Sequence, residues 1–200
     1  MKIKIALIFW LMLIFGTISY LFWQNEYKYS LPTPVPENYK AVAIGEHINL
    51  NNKLKTPSDK PLFLHFFNPD CPCSKFNIPH IETLVKKYGD KVSFAIVVID
   101  KDSNYSEQDI QDKFDLTVPV LFDKSIADMC GVFSTPQAVL LDVNRNLYYR
   151  GNYNRTRYCA DNNSNFAQIA LDSLLNKSQN PLFDKLALKA YGCTLPNCGK

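Results

Sequence analysis

A chain of 200 residues with 46% hydrophobic and 13% aromatic side chains can bury one packed core and carry appendages, which excludes a disordered polypeptide. Its formal net charge of +3 is spread over alternating lysines and acids with no basic run, so no nucleic-acid partner is indicated. Six cysteines (Cys71, Cys73, Cys130, Cys159, Cys193 and Cys198) are many for this length, yet paired Cys-x-x-Cys units and a His-x-x-x-His are missing, which excludes a zinc finger.

Lys2 and Lys4 precede an uncharged apolar run from Ile5 to Trp23. At about 1.5 Å per residue such a helix approaches the ~30 Å hydrocarbon core of a bilayer. Tyr20 and Trp23 stand at its far end, where aromatic side chains favour the interface. The charge balance predicts the N-terminus inside and the remainder exported. A cleaved signal peptide is the competing reading, but the small-x-small triplet Thr17-Ile18-Ser19 lies inside the apolar run, so an uncleaved anchor over residues 1–24 is favoured. Residues 25–40 read as a linker, with Pro32, Pro34 and Pro36 favouring an extended polyproline II spacer.

The exported part alternates strands and helices. Pro61 to Phe67 and Val92 to Ile99 read as buried strands, with one helix between them from Ser74 to Tyr88 closed by Gly89. Helices are predicted over 107–114, 125–130 and 166–175, and a short strand over 118–122 interrupted by Pro119. Gln137 to Leu141 and Leu147 to Arg150 flank a turn and read as a hairpin. A last helix is expected over 181–191, before a cysteine-bearing tail. A β-α-β unit followed by a hairpin predicts an α/β, thioredoxin-like three-layer sandwich with a central mixed sheet, behind one N-terminal transmembrane helix. The domain occupies 41–178 and the tail segment 179–200.

Chemistry concentrates at Cys71-Pro72-Cys73-Ser74, between a predicted buried strand and a predicted helix. Unsatisfied N–H groups at a helix start favour thiolate over thiol. Pro72 suits a first helical turn, where its missing N–H costs nothing. Asp70 opposes a thiolate unless it serves as the helix cap.

The stretch from Phe66 to Pro79 resembles the active-site segment of exported thioredoxin-like proteins, which carry Cys-x-x-Cys at this junction and a proline eight residues after the first cysteine, here Pro79. The segment Gly131-Val-Phe-Ser-Thr-Pro136 resembles the same family's Gly-Val-x-x-Thr-Pro motif. The likeness is to membrane-anchored bacterial redoxin-type members with an Asp-Cys-Pro-Cys site. It implies that Cys71 is the nucleophile, that Ser74 stands where the family has its resolving cysteine, and that Thr135 and a cis Pro136 lie beside the site to receive a docked thiol partner. It also puts His65 where thioredoxins bury a proton-handling carboxylate. His65 is therefore a candidate proton carrier, against the plainer reading of a hydrogen-bonded strand residue. His47 and His80 read as surface residues.

A mixed disulfide at Cys71 needs a second thiol to resolve it. Cys73 is nearest in sequence. Cys193 and Cys198 could reach back from the tail or close a local loop with each other, and Cys159 could pair with a tail cysteine. Cys130 is expected to be a buried thiol. The favoured function is a periplasmic thiol–disulfide oxidoreductase anchored in a bacterial inner membrane through residues 5–23, acting on exported cysteine-containing proteins or a membrane redox partner. No cofactor or resident metal is implied. The alternatives are a peroxiredoxin-like peroxidase using Cys71, or a Cu(I) chaperone using Cys71, Cys73 and His80.

Overall fold

The structure, a computed structural model, describes residues 2–50, 53–54, 57, 59–100, 105–115, 117–156, 158–159, 161–177 and 183–195. The apolar N-terminus forms α1 (Lys2–Phe22), which passes through a π-type turn (Trp23–Tyr27) into α2 (Lys28–Ser30). No residue of α1 is buried, and it belongs to the one helix long and apolar enough to cross a membrane among the described residues. A helix that is apolar all round and packs on nothing finds a favourable solvent in lipid.

The domain then runs β1 (Leu62–Phe67), α3 (Pro72–Lys75), α4 (Ile78–Tyr88), β2 (Ser93–Val98), α5 (Glu107–Phe114), β3 (Val120–Leu121) and α6 (Ser125–Cys130). It continues with β4 (Ser134–Thr135), β5 (Gln137–Leu141), β6 (Leu147–Gly151), a 3-10 turn (Asn162–Ser164), α7 (Phe166–Leu175), α8 (Lys185–Leu188) and β7 (Cys193–Thr194). The main sheet has the order β3-β2-β1-β5-β6, with β1, β2 and β3 parallel and β5 and β6 antiparallel. This is the mixed sheet of a thioredoxin-like α/β sandwich.

The strand β1 reads LFLHFF and is buried throughout, as a central strand covered on both faces must be. Its alternation divides the core. Phe63 and Phe67 face α4, α5 and α7 with Ile81, Leu84, Phe114 and Leu171, while Leu62, Leu64 and Phe66 face α6 with Ile126 and Val42. His65 falls between Phe63 and Phe67 and therefore points into the first layer.

Local chemistry sets the element ends. The helix α5 starts on a capping box, in which the Ser106 hydroxyl accepts from the Asp109 amide and the Asp109 carboxylate accepts from the Ser106 amide. It stops at Asp115 in the left-handed region. The helix α6 stops at Gly131 with φ +66°, where an added Cβ would meet Arg150 and Val42. The single helix expected from Ser74 to Tyr88 is two. Pro79 has no N–H to return to the Lys75 carbonyl, so the ladder cannot run through, and the chain restarts at Ile78. Phe76, where the first of the two helices ends, is exposed and stands edge-on to Tyr158. The strand expected over 118–122 shrinks to β3, because Pro119 contributes only a carbonyl, to the Ile96 amide. Of the helix expected over 181–191, Lys185–Leu188 is helical and residues 181–182 lie outside the described residues.

Candidate active site: a three-thiol cluster under the tail

Three elements meet at Cys71. The strand β1 delivers the chain to the loop Asn68-Pro69-Asp70, and Cys71 is the N-cap of α3 with extended φ/ψ. Its carbonyl accepts from the Ser74 amide, which begins the short helix. Asp70 is not the cap: its carboxylate accepts a hydrogen bond of 2.8 Å from the Tyr105 hydroxyl, so its charge is held off the helix start.

The second element is the tail. Cys193 forms a disulfide with Cys71 across 122 residues of sequence. The bond is embedded in backbone pairing. The strand β7 runs antiparallel to β4, with Cys193 opposite Thr135 and Thr194 opposite Ser134. The Leu195 amide extends the pairing to the Phe133 carbonyl. Pro136 follows Thr135 through a cis peptide bond, in keeping with the motif resemblance.

The third element is the linker. Pro32 makes a bridge to Tyr191, the Thr33 amide donates to the Ala190 carbonyl, and the Thr33 hydroxyl donates to the Gly192 carbonyl at 3.2 Å. Thr33 is buried. The proline-rich segment, read from sequence as a spacer, thus holds one side of the tail while Ser134–Thr135 holds the other. Nothing in its composition announced that contact.

Cys73 completes the cluster. Its thiol lies outside the disulfide, and the sulfurs of Cys71, Cys73 and Cys193 lie within 4.8 Å of one another. Cys71 and Cys193 are fully buried and Cys73 is 2% exposed, so water is largely excluded. Cys73 also lines a cavity of about 320 Å³, together with Asn77, Pro136, Tyr153, Tyr191 and Gly192.

The other sequence candidates separate from this cluster. Ser74 is buried and its hydroxyl accepts from the Asn68 amide, which ties the strand exit to α3. His65 is buried among the rings of Phe67, Phe114 and Tyr153, with Nδ1 2.7 Å from the Tyr153 hydroxyl. Burial and then the neighbouring His80 lower its pKa to about 3. Burial thus disfavours its charged form, and its ring stands in the strand hydrogen-bonded to Tyr153. His80, read as a surface residue, is half-buried with its ring edge-on to Tyr153 and its Nε2 without a hydrogen-bond partner among the described residues. It does not belong to the sulfur group proposed for Cu(I). His47 is exposed, as expected, with Nδ1 against the Asn144 carbonyl.

Cys159 pairs with no tail cysteine among the described residues. Its Sγ donates to the Asn77 side chain at 3.0 Å, and burial pushes its pKa up to about 12. Cys130 is a buried thiol, as expected, and burial pushes it up to about 12 against a lowering by Arg150. Cys193 is bonded to Cys71, and Cys198, the other tail cysteine considered for pairing, lies outside the described residues. Sequence reasoning missed Asn77, Tyr153 and Asn152. The last donates to the Leu186 and Lys189 carbonyls and so sets where the tail begins. The stretch Asn152-Tyr153-Asn154 carries no local signal of the cavity that it lines.

A family model described as a domain of unknown function (DUF6436) matches residues 40–195. The chain is similar to the thiol-disulfide oxidoreductase ResA of Halalkalibacterium halodurans, with 26% identity over 92 residues, 45% of this chain and 52% of that protein. It therefore spans about half the length of that curated relative. A hypothetical protein from Sinorhizobium meliloti has a similar structure, with a TM-score of 0.62 at 15% identity over 79% of this chain and 96% of that one. An uncharacterized conserved protein from Geobacillus kaustophilus follows at a TM-score of 0.54 and 22% identity, over 64% and 73% of the respective chains.

Proposed function

The chain belongs to the DUF6436 family, and from that premise we propose that it is a membrane-anchored thiol–disulfide exchange protein whose domain works in the bacterial periplasm, with Cys71 as nucleophile and the tail cysteine Cys193 as resolving thiol. One observation carries the reading. The disulfide partner of Cys71 arrives as a strand paired with Thr135, so the tail sits as a thiol partner would sit during exchange.

The cycle balances without a cofactor. In the reduced protein the Cys71 thiolate attacks one sulfur of a partner disulfide; that S–S bond breaks, a Cys71–partner S–S bond forms, and the partner's other sulfur leaves as thiolate. Cys193 then attacks the Cys71 sulfur, the partner's first sulfur leaves as thiolate, and the tail disulfide forms. Two electrons have passed from the protein to the partner. A dithiol donor, exported or in the membrane, returns them, and the same steps in reverse oxidise a partner dithiol. Cys73, within reach of both sulfurs, can intercept either stage.

Burial of all three sulfurs supports this use, because a dry site slows adventitious hydrolysis and oxidation while the tail remains the one group displaced. The test is trapping in cells. A Cys193→Ser/Cys73→Ser chain should accumulate mixed disulfides through Cys71 that vanish in Cys71→Ser. If no Cys71-dependent adduct forms, the exchange reading is wrong.

A second reading is favoured by the same sulfurs. Three thiolates within 4.8 Å, once reduced, suit a soft monovalent ion such as Cu(I), with Cys193 in the place first given to His80. Anaerobic Cu(I) titration of the reduced chain distinguishes them: stoichiometric binding lost in Cys193→Ser supports a copper site, and no competition with a Cu(I) chelator removes it.

A further inference from the structure

The position of the tail also defines what else can lie there. We propose that the channel between Pro32–Thr33 and Ser134–Thr135 is a docking site for an extended peptide segment of a partner protein in which glycine directly precedes the reactive cysteine, and that Gly192-Cys193-Thr194-Leu195 is its built-in competitor. The proposal rests on the exchange reading and adds to it a rule for the substrate.

The channel recognises backbone. The Thr33 amide and hydroxyl reach tail carbonyls, the Phe133 carbonyl receives the Leu195 amide, and Ser134 and Thr135 pair with Thr194 and Cys193 as a ladder. Such strand addition tolerates most side chains. Two positions are exceptions. At Gly192, φ is +137°, a conformation that L side chains rarely adopt, and an added Cβ would stand 2.3 Å from the Thr135 carbonyl oxygen and 2.9 Å from its carbon. The obstacle is backbone on the opposing strand, which cannot swing away as a side chain could. Any strand that presents its cysteine to Cys71 in this register meets the same wall. At the second position, Leu195 is half-buried against the Leu64–Val139 layer of the core, which favours an apolar residue two places after the cysteine.

Tail and partner therefore exclude one another. While Cys193 is bonded to Cys71 the channel is filled; reduction of that bond leaves the tail held by non-covalent contacts, and a segment of the same pattern can replace it. The cavity beside Cys73, bounded by Pro136, Tyr191 and Gly192, flanks the exchanging sulfurs and leaves room for Cys73 to approach the mixed disulfide.

The experiment uses the full chain in detergent micelles, carrying Cys73→Ser and Cys193→Ser. Two peptides, acetyl-Gly-Cys-Thr-Leu-amide and acetyl-Ala-Cys-Thr-Leu-amide, are each supplied as the mixed disulfide with thionitrobenzoate. Attack by Cys71 forms the protein–peptide S–S bond and releases thionitrobenzoate thiolate, followed by absorbance, with the adduct located by mass spectrometry. The glycine peptide should react at Cys71 at least about tenfold faster, the ratio of a modest steric discrimination. Equal rates overturn the glycine rule and leave the exchange reading standing. Failure of Cys71 to react even with the small symmetrical disulfide of thionitrobenzoate overturns both. In the otherwise native chain, Gly192→Ala should lower the equilibrium constant for tail-disulfide formation by about tenfold in a glutathione buffer, and an unchanged constant counts against the rule.

Discussion

Cys71 and Cys130 are both fully buried, and both sit at the end of a short helix, yet the fold gives them opposite fates. Cys71 is the N-cap of α3, faces two other sulfurs, and is covered by a strand that can leave. Cys130 is the last residue of α6, beneath a permanent layer of core, where burial pushes its pKa up to about 12. Burial alone therefore predicts neither inertness nor reactivity. What matters is whether the covering element is displaceable and whether a second sulfur lies within reach.

The largest effect that would test this contrast comes from Cys71→Ser. Exchange with external disulfides should fall about a thousandfold or more, to background, in an insulin-reduction or peptide-disulfide assay. Cys193→Ser should leave the first attack by Cys71 intact while removing the crosslink of 122 residues, lowering stability to urea by about 2–4 kcal/mol relative to the oxidised chain.

A pH experiment probes the layer beneath the site. The pKa of His65 falls to about 3 in the folded chain, from a usual 6.5, because burial disfavours its charge. Between those values the unfolded chain binds a proton that the folded chain does not, so stability rises with pH in that window and is lost as pH falls through it. From pH 6.5 to 4.5, urea unfolding of the detergent-solubilised chain should show a loss on the order of 2–3 kcal/mol that is absent in His65→Gln. The same slope in both proteins would show that His65 is not the group responsible. Smaller still is Asn152→Ala, which frees the Leu186 and Lys189 carbonyls; a loss of about 1–3 kcal/mol and a more easily reduced tail disulfide are expected. The smallest effect belongs to Cys130. With its pKa near 12 only about one molecule in ten thousand is thiolate at pH 8, so iodoacetamide should leave it unmodified in the folded chain while Cys130→Ala exchanges at the normal rate.

Much of the fold was legible in the sequence because its signals are local. The glycine closing α6 and the unbroken apolar runs of β1 and β2 each put an element where it was expected. Cys71 and Thr135–Pro136 were legible as motifs. The pairing of Cys71 with Cys193 was open among several possibilities, since it depends on where a tail 122 residues away comes to rest. The surroundings of His65 were hidden for a related reason: strand position shows that it is buried, but not that Tyr153 and His80 come from other segments to stand beside it. The clamp formed by Thr33 was invisible, because a proline-rich linker carries no signal of what it will lie against.

The proposed exchange chemistry requires the tail cysteine and Cys71 to form one redox pair. Mass-spectrometric mapping of disulfides in the full chain, alkylated in intact membranes before and after reduction, tests it most directly. The oxidised protein should yield a peptide joining Cys71 to Cys193, lost on mild reduction, with Cys130 and Cys159 unlinked. A Cys71–Cys73 bond or a Cys193–Cys198 bond as the main oxidised species would contradict it.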